Sequence, residues 1–129
     1  MSRFWWAALG AVGVAGVAAG AFGAHGLEDR LSEQQLGWWA LGARYAMLHL
    51  TGLLAVAVLD ELGAPGPLVR ASGAAFLVGI ALFSGSLCTM ALTDARWLGM
   101  ITPLGGLSLM AGWGLLAWTG TRPRRPRGG

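Results

Sequence analysis

Tyr45, His49 and Gly52 recur at helical spacing and share one face of an apolar stretch with Gly42 and Val56. An imidazole held there can donate, accept or relay a proton, and charging it inside a bilayer costs several kcal/mol. Two readings of His49 follow. It is either a neutral side chain bonded to a nearby serine or carbonyl, or a group that titrates in function. Arg44 and Thr51 lie about a quarter turn to the side. Arg44 is the one charge well inside an apolar stretch. It has three uses open to it: snorkelling outward, pairing with Glu28, Asp29, Glu33 or Asp94, or forming a site for an anion or a headgroup.

His25 is the other histidine, at the end of an earlier apolar stretch in Gly23-Ala24-His25-Gly26. Its axial separation from His49 is roughly 15 Å at ~1.5 Å per residue, so the two do not meet on one haem iron. Cys88, Met47, Met90 and Met100 lack ligand spacing. No metal and no cofactor is expected. The chain carries no nucleophile elbow, no phosphate-binding glycine loop followed by lysine, and no paired carboxylates inside an apolar run. Catalytic residues are therefore not assigned, and a non-enzyme is expected.

The elements that hold these residues are set by charge. Only 12% of the 129 residues are charged, against 22 glycines and seven tryptophans. A soluble domain carries about a quarter charged residues. The missing polar surface predicts an all-α integral membrane bundle, with spans at about 4–24, 37–59, 69–92 and 98–118 in a single domain over 1–121. Residues 122–129 form a basic, disordered tail. Six arginines (Arg3, Arg70, Arg122, Arg124, Arg125, Arg127) fall on one side and two (Arg30, Arg96) on the other, which predicts both termini in the cytoplasm. Basicity that comes wholly from arginine, beside abundant Ala and Gly, fits a GC-rich bacterial genome. The basic cluster lies beside a span, so nucleic-acid binding is not expected; the partner is the lipid bilayer.

Punctuation supports these limits. Asp60, Glu61, Gly63, Pro65, Gly66 and Pro67 make a tight connection. Thr102-Pro103 reads as an N-cap and first helical residue, with 97–101 at the interface; a kink at Pro103 is the alternative. The run from Leu27 to Gln35 is too polar to span and predicts a short interfacial helix. Trp5, Trp6, Trp38, Trp39, Trp97 and Trp118 fall near span ends, at headgroup level.

Small residues form stripes: Gly13, Gly16, Gly20 and Gly23 in the first span; Ser72, Gly79, Ser86 and Thr93 in the third; Gly105, Ser108 and Gly112 in the fourth. Membrane helices associate through close packing, which small residues permit. The stripes predict packing within the chain, and would also serve a homo-oligomer or a larger membrane complex. No sustained polar face accompanies them, so an open aqueous channel is not expected.

Four segments carry a family resemblance: Gly20-Ala21-Phe22-Gly23-Ala24-His25-Gly26-Leu27, Tyr45-Ala46-Met47-Leu48-His49, Leu82-Phe83-Ser84-Gly85-Ser86-Leu87 and Gly99-Met100-Ile101-Thr102-Pro103-Leu104-Gly105-Gly106. Together they resemble a bacterial membrane family known as domain of unknown function 423, which has eukaryotic transmembrane relatives. The resemblance implies four spans in the inner membrane and supplies no reaction. It singles out His25, Tyr45, His49, Ser84, Ser86, Thr102 and Pro103. Cys88 departs from an aromatic residue common there, and Asp94 from a glycine. The expected function is a non-enzymatic packing or accessory subunit. A small transport or sensing protein using His49 and Arg44 is the alternative, with a haem or metal protein behind it.

Overall fold

The computed structural model describes residues 2–64 and 66–123. Its helices are α1 (Ser2–His25), α2 (Glu33–Leu48), α3 (Leu50–Glu61), α4 (Gly66–Thr93) and α5 (Thr102–Thr121), with a 3-10 turn over Arg96–Met100. α2 and α3 together make one span, so four helical segments are long and apolar enough to cross a membrane. The tail expected over 122–129 lies outside the described residues from 124 onward.

α4 is the centre of the bundle. It packs along α5 on one side and against α2 and α3 on the other, while α1 leans on α2 and α3. The α4–α5 pair is joined in both directions: the Ser72 hydroxyl donates to the Gly112 carbonyl and the Ser108 hydroxyl to the Ala75 carbonyl, each at 2.8 Å. Such close approach needs glycine. A Cβ on Gly79 would meet the Leu109 backbone nitrogen at 2.9 Å, and one on Gly105 would collide with the backbone of Phe83. Phe76 fills the centre, fully buried, with Gly52 and Gly112 packed against its ring.

The connections follow local chemistry. α3 ends in a Schellman motif: Ala64 N–H bonds the Leu59 carbonyl, Gly63 N–H bonds the Asp60 carbonyl, and Gly63 takes φ +70°. α4 ends in the simpler left-handed cap. Asp94 N–H bonds the Met90 carbonyl at 2.8 Å and Asp94 adopts φ +52°. Glycine reaches that region without strain, and aspartate is among the few side chains that tolerate it.

Four expectations change. The run from Leu27 to Gln35 is not a helix: residues 26–32 fold as turns, Leu27 tucks into the protein, and α2 starts at Glu33. The cause is a capping box, in which Gln35 N–H bonds Ser32 Oγ and Ser32 N–H bonds Gln35 Oε1. Span two accordingly begins earlier than residue 37. Thr102 is the first helical residue rather than the cap, because Ile101 is already helical at φ −82°, ψ −34°. Pro103 sits in the first turn, where its missing N–H costs nothing, and no kink arises. Trp5 faces the protein rather than lipid: it is 3% exposed, packed over Gly73. Trp6, by contrast, donates its indole N–H to Glu61 at 2.7 Å.

Candidate functional site

His49 is buried, 4% exposed, at the one-residue break between α2 and α3. Side-chain bonds to helix carbonyls cluster at the break, the first of them on the Tyr45 carbonyl. It accepts both the His49 backbone N–H at 3.1 Å and the ring Nδ1 at 2.7 Å. Thr51 adds a second side-chain bond, donating to the Leu48 carbonyl at 2.8 Å. Side chains that bond to carbonyls within their own helix compete with the ladder and interrupt it. His49 lands at φ −79°, ψ −2°, in the sparsely populated bridge region.

A carbonyl only accepts, so Nδ1 carries the proton and Nε2 of the neutral ring is left as an acceptor. Around it stand aromatic rings. Tyr45 stacks at 5.8 Å, while Phe76 and Trp113 lie at 6.0 and 6.1 Å. Phe83 stacks on Tyr45 at 4.4 Å, and Trp113 meets Phe76 edge-on at 5.0 Å. The site is an imidazole anchored by one nitrogen and boxed by rings from three helices. No serine or carboxylate is hydrogen-bonded to the ring among the described residues.

The other predicted positions lie elsewhere. Ser86 and Thr102 meet at 2.7 Å and tie α4 to the start of α5. Their further contacts, to the Phe83 carbonyl at 3.0 Å and the Leu98 carbonyl at 3.4 Å, compete, since two hydroxyls supply only two protons. Ser84 is buried with its hydroxyl unpartnered, beside Cys88 on a small cavity of ≈ 280 Å3 between α1, α2 and α4. His25 is exposed at the end of α1, away from the His49 box. No group of three metal-ligating side chains forms among the described residues.

Arg44 departs from the expected ion pair. The pairs among the described residues join Arg70 to Asp60 and Arg96 to Asp94, and Arg44 is in neither. Helix geometry is the reason: Glu33 is eleven residues below Arg44, roughly 16 Å along the axis. Asp94 is engaged by Arg96 at 3.3 Å. Glu28 lies in the turn before α2, and shares with Arg44 only the lining of a larger crevice between α1 and α2.

The glycine stripes divide. Gly79, Gly105 and Gly112 sit against Leu109, Phe83 and Phe76. In α1, Gly13 faces Leu50, Gly16 faces Met47 and Gly23 faces Trp39, whereas Gly20 has nothing within 4 Å. Sequence reasoning missed Phe76 and Trp113, and took Trp39 only as an interfacial residue and Phe83 only as part of a motif. Phe76 and Phe83 are seven apart in α4, a spacing that signals one shared face.

The fold defines a multi-pass helical membrane protein. The chain matches over residues 19–106 the family described as Protein of unknown function (DUF423), and it belongs to that family. It is 43% identical over 92 residues to a UPF0382 membrane protein of Staphylococcus haemolyticus, covering 71% of this chain and 74% of the relative. A UPF0382 membrane protein of Haemophilus influenzae is 42% identical over 118 residues, 92% of this chain and 86% of its own. The inner membrane protein YgdD of Escherichia coli is 35% identical over 102 residues, 78% and 76% of the two chains. No solved structure matches.

Proposed function

We propose that the protein is a non-enzymatic accessory subunit whose first helix docks on a second membrane helix, from another copy or a larger complex. The supporting observation is the uneven burial of its spans. The apolar window of α1 is 6% buried, against 44% for α2–α3 and for α4. Gly10, Val14, Val17 and Ala21 form one exposed face of α1, and a Cβ on Gly10 would meet nothing within 4 Å. Small residues on an open face let a partner backbone approach closely. In this reading both termini face the cytoplasm, in keeping with the six arginines on that side.

The test is the mass of the purified protein in mild detergent, with crosslinking in cells, for wild type and Gly10→Leu/Val14→Trp. Wild type is expected as a species larger than one chain, and the double variant as a folded monomer. A strictly monomeric wild type with no crosslinked partner would end this reading.

The helix break at His49 favours a second reading, in which His49 takes and releases a proton in a small transport or sensing protein and Arg44 attracts an anion. Reconstituted His49→Ala and Arg44→Ala proteins would then lose proton or solute flux. Flux equal to wild type in both removes it.

A further inference from the structure

Between α1 and α2 runs a crevice of ≈ 590 Å3, within the range of about 300–1,000 Å3 that ligand sites occupy. Its walls are Gly16, Gly20 and Gly23 on α1 and Trp39 on α2, with Glu28 and Arg44 the two charged residues on its lining. The Trp39 indole is pinned as a wall by donating to the Ala19 carbonyl at 2.7 Å. Gly20 leaves the floor open, since no atom lies within 4 Å of a Cβ placed there. The apolar part of this shape takes a hydrocarbon chain; the two charges call for a headgroup.

Arg44 is exposed, inside a span, and outside both ion pairs among the described residues. A guanidinium at that depth is costly unless an anion reaches it. Helical side chains lean toward the N-terminus of their helix, which directs Arg44 toward the end of the bundle where Glu28 sits. The planar guanidinium is well matched to phosphate oxygens, with two parallel N–H bonds. Glu28 supplies an acceptor for a cation beside that phosphate. One positive and one negative group over a hydrocarbon groove are complementary to a zwitterion with N–H donors.

We propose that this crevice seats one phospholipid bearing phosphoethanolamine, with the phosphate on Arg44, the ammonium on Glu28 and an acyl chain over Gly16 and Gly20. A choline headgroup has no N–H to give Glu28, and an anionic glycerol headgroup places no cation there. The seat lies on a different face of α1 from the Gly10–Val14–Val17 surface, so it stands or falls independently of the docking reading.

The experiment places the purified protein in nanodiscs with equal parts of palmitoyl-oleoyl phosphatidylethanolamine, phosphatidylcholine and phosphatidylglycerol, and counts retained lipids by native mass spectrometry. Wild type is expected to keep one phosphatidylethanolamine per chain, enriched about tenfold over either competitor, the scale of a charge-assisted hydrogen bond. Arg44→Gln should lose that retention. Glu28→Gln should shift it to phosphatidylglycerol. Gly20→Leu should fill the crevice and abolish retention with helicity unchanged, because its Cβ meets no neighbour. Equal retention of the three lipids by wild type, a wild-type preference for phosphatidylglycerol, or unchanged retention in Arg44→Gln or Gly20→Leu overturns the proposal.

Discussion

The α4–α5 pair and the α1–α2 pair use the same kind of residue for opposite ends. On α4 and α5, Gly79, Gly105 and Gly112 are each covered by a neighbour, and Ser72 and Ser108 exchange hydrogen bonds with the opposing backbone. On α1 and α2, Trp39 holds the helices together through one bond to Ala19, Gly20 is uncovered, and a crevice opens beside them. A small residue permits close approach but does not enforce it. In lipid there is little hydrophobic drive to close the gap, so packing and hydrogen bonds decide.

The widest gap between the two pairs should come from glycine. Gly105→Ala drives a Cβ into the Phe83 backbone, and overpacking of this kind costs about 1–3 kcal/mol; unfolding in a detergent titration measures it. The rim of the tight pair comes next. Asp94→Ala should destabilise by about 1–2 kcal/mol, the cost of a left-handed residue with no local compensation, while Asp94→Gly should not destabilise. Equal loss in both would mean that the Asp94–Arg96 pair, not the backbone, matters there.

Hydrogen bonds between helices average about 0.6 kcal/mol in membranes. Ser72→Ala and Trp39→Phe should each lose roughly that amount, but with different consequences. Ser72→Ala leaves α4 and α5 held by glycine packing. Trp39→Phe should loosen α1 from α2 while Trp6–Glu61 still ties it to α3, read as lower crosslinking between cysteines placed on α1 and α2. Gly20→Ala should change least, within about 0.5 kcal/mol and toward stability, because alanine favours helix and nothing opposes its methyl. A large loss there would show that the crevice closes.

Charge and punctuation were enough to count the spans. Arg3, Arg70 and Arg122 bracket apolar runs, Gly63 demands a turn, and Pro103 is tolerated at the first turn of a helix. These are local properties, set by the few residues around each position. The capping box at Ser32–Gln35 was equally local, yet composition alone hides it, since a polar run suits both an interfacial helix and a turn followed by a cap.

The site was legible only in part. His49 stood out as an imidazole in an apolar face, and a carbonyl partner was among its expected options. The sequence by itself determined that four segments are apolar enough to enter a membrane, because transfer of each side chain into lipid depends on its own chemistry. Only the tertiary structure decided that Phe76 and Trp113 stand around His49, that Asp94 engages Arg96 instead of Arg44, and that the stripe of α1 stays partly open. Those outcomes depend on how helices far apart in the chain are placed, and many placements satisfy the same small-residue pattern.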